Sequence, residues 1–359
     1  MRSSGRFVGP VCAFFLMNAM LRQLWIVLLI AVTGAAACTP PIVAPASSPA
    51  DDTTLRATSA VLPPGFDVQG HRGARGLQPE NTLPAFETAL DLGVSTLELD
   101  LHLTADGEVV IWHDEALTRD KCGLSTMAAP PLPPDPDDRA VAGDALYLSR
   151  LTFADLQRYR CDRNPDAGRF PDQRATPTTL AGDNYQIVRL ADLFAFVERY
   201  AGSDAKSAAQ RANAAAVNFN IETKRKPDDP AAIGDDFDGV NPGHFEQEIA
   251  RIVGAAGLTD RVIVQSFDHR SLWAMRTLLP DMPLAALTTG PAALPEFAER
   301  GATIWSPNYT TLSAAQLAEA HALGLAVIPW TVNDPADMQR LIALGVDGLI
   351  TDRPDRLLE

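Results

Sequence analysis

The chain has 359 residues, 46% hydrophobic and 21% charged, an ordinary globular composition that excludes wholesale disorder. With 30 basic and 45 acidic residues the net charge is −15, which also excludes a general nucleic-acid binder, since that needs a basic footprint. One or two local cations for a phosphorylated small molecule remain compatible, and the length suits either two average domains or one large barrel.

Residues 1–37 carry Arg2, Arg6 and Arg22 and no acidic residue, and 24–37 form an apolar run ending in small residues. A basic start, an apolar centre and a small-residue exit predict a secretory signal over 1–37, with Met17 and Met20 as alternative starts. Its apolar run is short of the roughly 20 residues that span a membrane. Ala36, Ala37 and Cys38 resemble the lipobox of bacterial lipoproteins, in which that cysteine is lipidated, although Ala35 stands where Leu or Val is usual. The alternatives are plain secretion and an uncleaved anchor using the apolar residues from Phe7. The expectation is an exported protein, periplasmic or held at a membrane by a lipid on Cys38. Residues 38–64, rich in Pro, Ser, Thr and Ala without apolar period, read as a flexible tether. Loss of 1–37 leaves 27 basic against 45 acidic residues, a net charge of −18. It also leaves Cys122 and Cys161 as the cysteines of the folded part. An oxidising compartment favours a bridge between them, with two free buried thiols as the alternative.

From Phe66 onward, strand-like runs cover 66–71, 95–100, 217–222, 261–266, 283–288, 302–307, 325–330 and 347–351. Helical patterns fall at 81–92, 189–200, 243–257, 268–279, 292–299, 313–323 and 334–344. Strand alternating with helix implies parallel strands, and eight of them predict a (β/α)8 barrel over 65–359. A doubly wound sheet is second, because no Gly-rich dinucleotide loop follows the first strand. A ninth run, 108–113, follows the second strand too closely for a crossover. Ala105-Asp106-Gly107 therefore reads as the turn of a hairpin that places Leu101 opposite Trp112 and Asp100 opposite His113. Residues 114–187 form a large Pro-rich insertion holding both cysteines, with a short helix expected within 148–160 and an independent domain only thinly supported.

Polar residues gather at the C-terminal ends of these strands, where barrels keep their chemistry. Glu98 and Asp100 are two apart and point to the same side of their strand, while Leu97, Leu99 and Leu101 face the helices. Glu222 and Lys224 repeat that spacing on the next strand. One such pair alone is better read as a salt-bridged strand edge; two on adjacent strands tip the balance. Three convergent carboxylates suit a hard divalent cation, Ca²⁺ or Mg²⁺. His71 and His113 reach the same rim and suit proton transfer, whereas His102, His244, His269 and His321 lack such company and read as surface or structural. Arg72 and Lys224 supply cations for a phosphate, their bland role being to pair with the nearby carboxylates. Asn81 is well placed to cap the first helix, with Pro84 tolerated in its first turn.

The stretches HRGARGLQPENTLPAFETAL (71–90), ELDLHLTADGEVVIWHD (98–114), NIETK (220–224), QSF (265–267), WTVN (330–333) and ITD (350–352) resemble the glycerophosphodiester phosphodiesterases, in order from about 66 to 354. The resemblance implies roles for the matching positions. His71 and His113 become the acid/base pair, Glu98, Asp100 and Glu222 the ligands of one divalent cation, and Arg72 and Lys224 the phosphate contacts. Trp330 becomes an aromatic wall near the substrate's alcohol, with Glu80 and Asn81 a supporting pair. It also places the chain near the periplasmic branch, whose insertion lies at the same point. The implied substrate is a small glycerophosphodiester and the default oligomeric state a monomer. Two rivals stand beside this reading. A phospholipase of the phosphatidylinositol-specific or sphingomyelinase D type calls for exposed apolar loops at the barrel mouth, and the insertion is instead polar. A non-catalytic surface-binding lipoprotein calls for decay of the catalytic set, and none is visible.

Overall fold

The computed structural model describes residues 62–358; the expected signal, Cys38 and nearly all of the tether lie outside them. The chain runs through β1 (Asp67–Gly70), α1 (Leu83–Leu92), β2 (Thr96–Leu103), β3 (Val109–Ile111), β4 (Gly123–Leu124), α2 (Phe153–Leu156) and β5 (Tyr159–Arg160). It continues through α3 (Leu190–Ala201), α4 (Ala208–Ala216), β6 (Asn218–Thr223), α5 (His244–Ala256), β7 (Val262–Ser266), α6 (His269–Leu278) and β8 (Leu284–Thr288). It closes with α7 (Leu294–Glu299), β9 (Ile304–Pro307), α8 (Ala314–Ala322), β10 (Ala326–Val327), α9 (Pro335–Leu344), β11 (Gly348–Thr351) and α10 (Asp355–Leu358). Every predicted strand is present. The parallel order β10-β9-β8-β7-β6-β2-β1-β11 is a nearly closed barrel with helices outside, not an open doubly wound sheet. Its last seam is short: Asp347 N–H donates to Val327 O, Ile350 N–H to Pro329 O and Val332 N–H to Ile350 O.

Alternation along the strands separates two environments. Leu97, Leu99, Leu101, Phe219, Ile221, Val262 and Val264 join the main core beneath the helices. Inside the barrel, Ile263, Ala285, Ile304, Ile328 and Ile350 fill one side. The other side is a buried amide ladder: Gln69 Oε1 accepts from Asn220 Nδ2 at 2.7 Å, and Gln265 Oε1 accepts from the same nitrogen at 3.1 Å. That ladder leads up to the site.

The hairpin of β2 and β3 exists, but its register is one residue from the expected one. Leu101 pairs with Ile111 and His102 with Val110, so Trp112 N–H donates to Asp100 O. Strand β2 also runs on to Leu103 instead of stopping near Asp100. Its eight residues are all buried, so no exposed face was available to mark the register. Asn81 is not the cap of α1 either: Thr82 takes that position, its Oγ1 accepting from Ala85 N–H, and Pro84 stands in the first turn as expected. The helix α4, Ala-rich and weakly patterned, has no counterpart in the sequence reading.

The insertion is ordered around its own small core. Leu117, Leu146, Leu148, Leu151, Leu156 and Tyr159 pack with Val110 and Trp112 of the hairpin, so it leans on the barrel and is not an independent domain. The expected short helix is broken into a 3-10 turn at Leu148–Arg150 and α2, which Thr152 and Asp155 cap reciprocally. Strands β4 and β5 pair antiparallel, and a disulfide joins Cys122 to Cys161 beside them. The far end of the insertion is clamped to α1 by Glu87. This fully buried carboxylate accepts from Thr178 Oγ1 at 2.6 Å and from the N–H groups of Leu180 and Ala181, and lies 2.6 Å from Lys206 Nζ. Glu87→Leu leaves two backbone donors unpaired and the Lys206 ammonium with Asp91 as its remaining partner, and should cost about 1–3 kcal/mol in urea unfolding, the range for unsatisfied buried donors. A loss well under 1 kcal/mol would show that the clamp contributes little.

Candidate active site

A cavity of about 450 Å³ opens at the C-terminal ends of the strands, and His71, Arg72, Glu80, Glu98, His113, Glu222, Lys224 and Trp330 all line it. The β2–β6 register sets Asp100 beside Glu222, and ligand oxygens of Glu98, Asp100 and Glu222 lie within 4.8 Å of one another. Glu98 Oε2 accepts from Arg72 N–H at 2.9 Å and Oε1 from Gln265 Nε2 at 2.7 Å. Asp100 Oδ2 accepts from Asn81 Nδ2 at 2.8 Å, so Asn81 orients a carboxylate where the sequence pointed to a cap.

Arg72 and Lys224 do what their bland reading said. Arg72 Nη1 donates to both oxygens of Glu80, and its Nε lies 3.1 Å from Asp100 Oδ2 without hydrogen-bond geometry. Lys224 Nζ donates to Glu222 at 2.8 Å and lies 3.5 Å from Asp100 Oδ1. The loop behind this arrangement is sharply folded: Arg72, Gly73 and Asn81 all have positive φ. At Gly73 a Cβ would meet the Ala85 carbonyl at 2.6–2.7 Å, so the glycine lets the loop close on α1.

The charges do not balance. Burial and the neighbouring Asp100 and Glu222 hold Glu98 well above the usual carboxylate range. Burial also raises Glu222, against Lys224. Burial pushes Asp100 up too, but Arg72 and Lys224 outweigh it and its pKa falls well below the usual range. Asp100 Oδ1 is buried with no hydrogen-bond partner. Three oxygen donors, one of them unpartnered, around a local excess of negative charge form an acidic triad that fits a hard divalent cation.

Each histidine is oriented by an aspartate. His71 Nδ1 lies 2.6 Å from Asp352 Oδ1, beyond β11, and Arg75 Nε and Nη2 grip that carboxylate at 2.7 and 3.0 Å. Burial raises the Asp352 pKa, but the charge and hydrogen bond of His71, with Arg75, drive it far below the usual range. An ionised Asp352 only accepts, so His71 carries its proton on Nδ1 and keeps Nε2 as a base. Burial, then Arg75, lowers His71 to about 4, so it is neutral at pH 7. His113 repeats the pattern: Nδ1 lies 2.6 Å from Asp114 Oδ1, whose pKa falls far below the usual range despite burial because His113 and Lys121 bind it. Asp352, Arg75 and Lys121 had no assigned role in the sequence. The one available signal was Asp352 at the end of the eighth strand. Trp330 lines the cavity and packs edge to face on Phe267 at 5.4 Å, its Nε1 donating to Ser306 O.

Residues 71–356 match the model of the glycerophosphoryl diester phosphodiesterase family. The chain belongs to that family. A glycerophosphodiester phosphodiesterase of Bacillus subtilis strain 168 is 29% identical, over 79% of this chain and 83% of its own length. A crystal structure from Silicibacter pomeroyi DSS-3 is 29% identical over 81% of this chain and 91% of that one, with a TM-score of 0.63. An Oleispira antarctica phosphodiesterase solved with the product sn-glycerol-3-phosphate shares the fold at 18% identity, covering 82% and 95% of the two chains with a TM-score of 0.56.

The buried histidines have a measurable consequence for stability. His71 and His102 are both lowered to about 4 by burial, while the unfolded chain binds those protons near 6.5. The unfolded state therefore holds more protons between those values, and stability should rise with pH from about 4 to 6.5. His102→Gln should flatten that slope in urea unfolding followed across the window; an unchanged slope would mean that His102 is not buried neutral.

Proposed function

We propose that the protein hydrolyses small glycerophosphodiesters to an alcohol and sn-glycerol 3-phosphate in a metal-dependent reaction, with His71 and His113 as the acid/base pair. The observation that carries the proposal is the meeting of two aspartate-oriented histidines and a carboxylate triad in one cavity of a family member. The product held by the Oleispira antarctica phosphodiesterase supports the same substrate class.

Glu98, Asp100 and Glu222 would hold the divalent cation, which when bound supplies charge stabilisation for the phosphoryl oxygens. Arg72 and Lys224 border the same space and add two fixed positive charges for those oxygens. One histidine enters neutral and takes the proton of the attacking hydroxyl through its free Nε2; the other enters protonated on Nε2 and gives that proton to the departing alcohol. The attacking hydroxyl is that of the glycerol beside the phosphate or that of water. A transient cyclic phosphate in ³¹P spectra identifies the first, and direct opening with no such species identifies the second. The Trp330–Phe267 wall offers an apolar face to the substrate.

Ca²⁺ and Mg²⁺ both suit three oxygen donors, and we carry both. The basic and apolar run before Cys38 supports export with a lipid anchor on that residue, and label from a fatty acid tests it. Among the described residues few large apolar side chains are exposed, and a monomer is the default state of the proposal.

Glycerol 3-phosphate released from glycerophosphocholine should be abolished by chelator and restored by Ca²⁺ or Mg²⁺. His71→Ala and His113→Ala should each lower kcat by about two to four powers of ten. No turnover of any deacylated glycerophosphodiester would overturn the proposal.

A further inference from the structure

Two arms of the site converge on one carboxylate. On the first, His71 bonds Asp352, Arg75 grips Asp352, and Arg75 Nη1 reaches Glu80 Oε2 at 3.4 Å. On the second, His113 bonds Asp114 Oδ1, and Lys121 Nζ donates to Asp114 Oδ2 at 2.5 Å and to Glu80 Oε1 at 2.8 Å. The cation of the first arm sits four residues after its histidine in the β1–α1 loop. The cation of the second comes from the insertion and lies outside every stretch that carries the family resemblance. We propose that Lys121 is a positioning residue for His113: it fixes the Asp114 carboxylate against Nδ1, so that Nε2 stays presented to the substrate. The proposal rests on the function argued above and adds a residue to it.

Asp352 is almost fully buried and also accepts from Asn333 Nδ2, so the first arm is held from several sides. Asp114 and His113 are more open, their side chains 26% and 30% exposed, and water competes for every bond they make. Among the described residues Asp114 has His113 and Lys121 as its ion-pair partners. Without the ammonium, Asp114 loses one anchor and faces Glu80 with no intervening charge. Its carboxylate can then turn, and the ring with it.

Lys121 is itself well fixed. Its side chain is 13% exposed and its ammonium stands 5.6 Å from the centre of the Trp112 ring. Its carbonyl accepts from Arg163 N–H, and the next residue is bonded both to Thr118 O and, through sulfur, to Cys161. The bridge therefore holds the segment that delivers the ammonium. Lys121 thus links the insertion to His113 directly, and the disulfide acts on His113 both through Lys121 and through the core that its cysteines share with Trp112.

Steady-state kinetics on glycerophosphocholine test the idea with five proteins: wild type, K121M, K121R, the double variant C122S/C161S and the triple variant C122S/C161S/K121M. K121M should lower kcat about tenfold to hundredfold, as loss of an orienting partner does, with KM near the wild-type value. K121R should recover most of that loss, which a purely packing role would not allow. C122S/C161S should lower kcat in the same sense, and adding K121M to it should cost less than K121M costs in the wild type, because the two changes share the Lys121 route. A K121M enzyme with wild-type kcat would overturn the proposal. So would a raised KM at unchanged kcat, since Lys121 would then be a substrate contact. Inactive wild type would instead overturn the proposed function, which keeps the two failures apart.

Discussion

Three carboxylates share the mouth of a barrel from which water is largely excluded, and the rest of the site is arranged around their cost. An ionised group in such surroundings is destabilising by several kcal/mol unless charge and hydrogen bonds are supplied. Arg72 and Lys224 supply charge; the Arg72 N–H, Asn81 and Gln265 supply hydrogen bonds. The supply falls short, for Glu98 and Glu222 are still pushed up and Asp100 Oδ1 has no hydrogen-bond partner. That shortfall is what fits the triad to a cation; a fully paired salt-bridged cluster would not suit one. It also reconciles a strongly acidic chain with an anionic substrate: the local balance at the mouth, and not the net charge, decides what binds there.

The amide ladder inside the barrel belongs to the same arrangement. Gln265 reaches Glu98 with its nitrogen and accepts from Asn220 with its oxygen, so one end of a carboxylate is fixed by side chains a layer below it. An apolar residue at position 265 would fill the space but leave Glu98 held by the Arg72 N–H alone. Barrels with purely aliphatic interiors separate core from site; here part of the interior orients one carboxylate of the triad.

What the sequence made legible was whatever depends on periodicity. Strand–helix alternation announced the barrel, and a spacing of two put Glu98 with Asp100 and Glu222 with Lys224 on inward faces, because the barrel turns period into direction. What it hid depends on tertiary approach. Asp352 lies 281 residues from His71, and no local pattern marks it as that ring's acceptor. The hairpin register slipped by one because β2 is buried along its whole length and shows no polar face to fix it. Asn81 and Thr82 are both competent caps; the choice fell to Thr82 because the left-handed Asn81 is drawn inward to Asp100.

The insertion follows the same division between local and distant contacts. Its apolar residues cluster with Val110 and Trp112, which stand on the return arm that ends in His113. Folding the insertion and placing that histidine are therefore one packing event. A long loop costs little more entropy to close than a short one, so its length is no obstacle once its ends and middle are tied. The Glu87 clamp ties one end to α1, the hairpin ties the other, and the Cys122–Cys161 bridge ties the middle. The insertion also reaches the His71 side, where Gln173 Nε2 donates to Arg75 O at 2.7 Å, Gln78 Nε2 donates to Thr176 O at 3.0 Å and the Arg75 guanidinium stacks on Phe170, so weakening these ties should loosen both sides of the cavity.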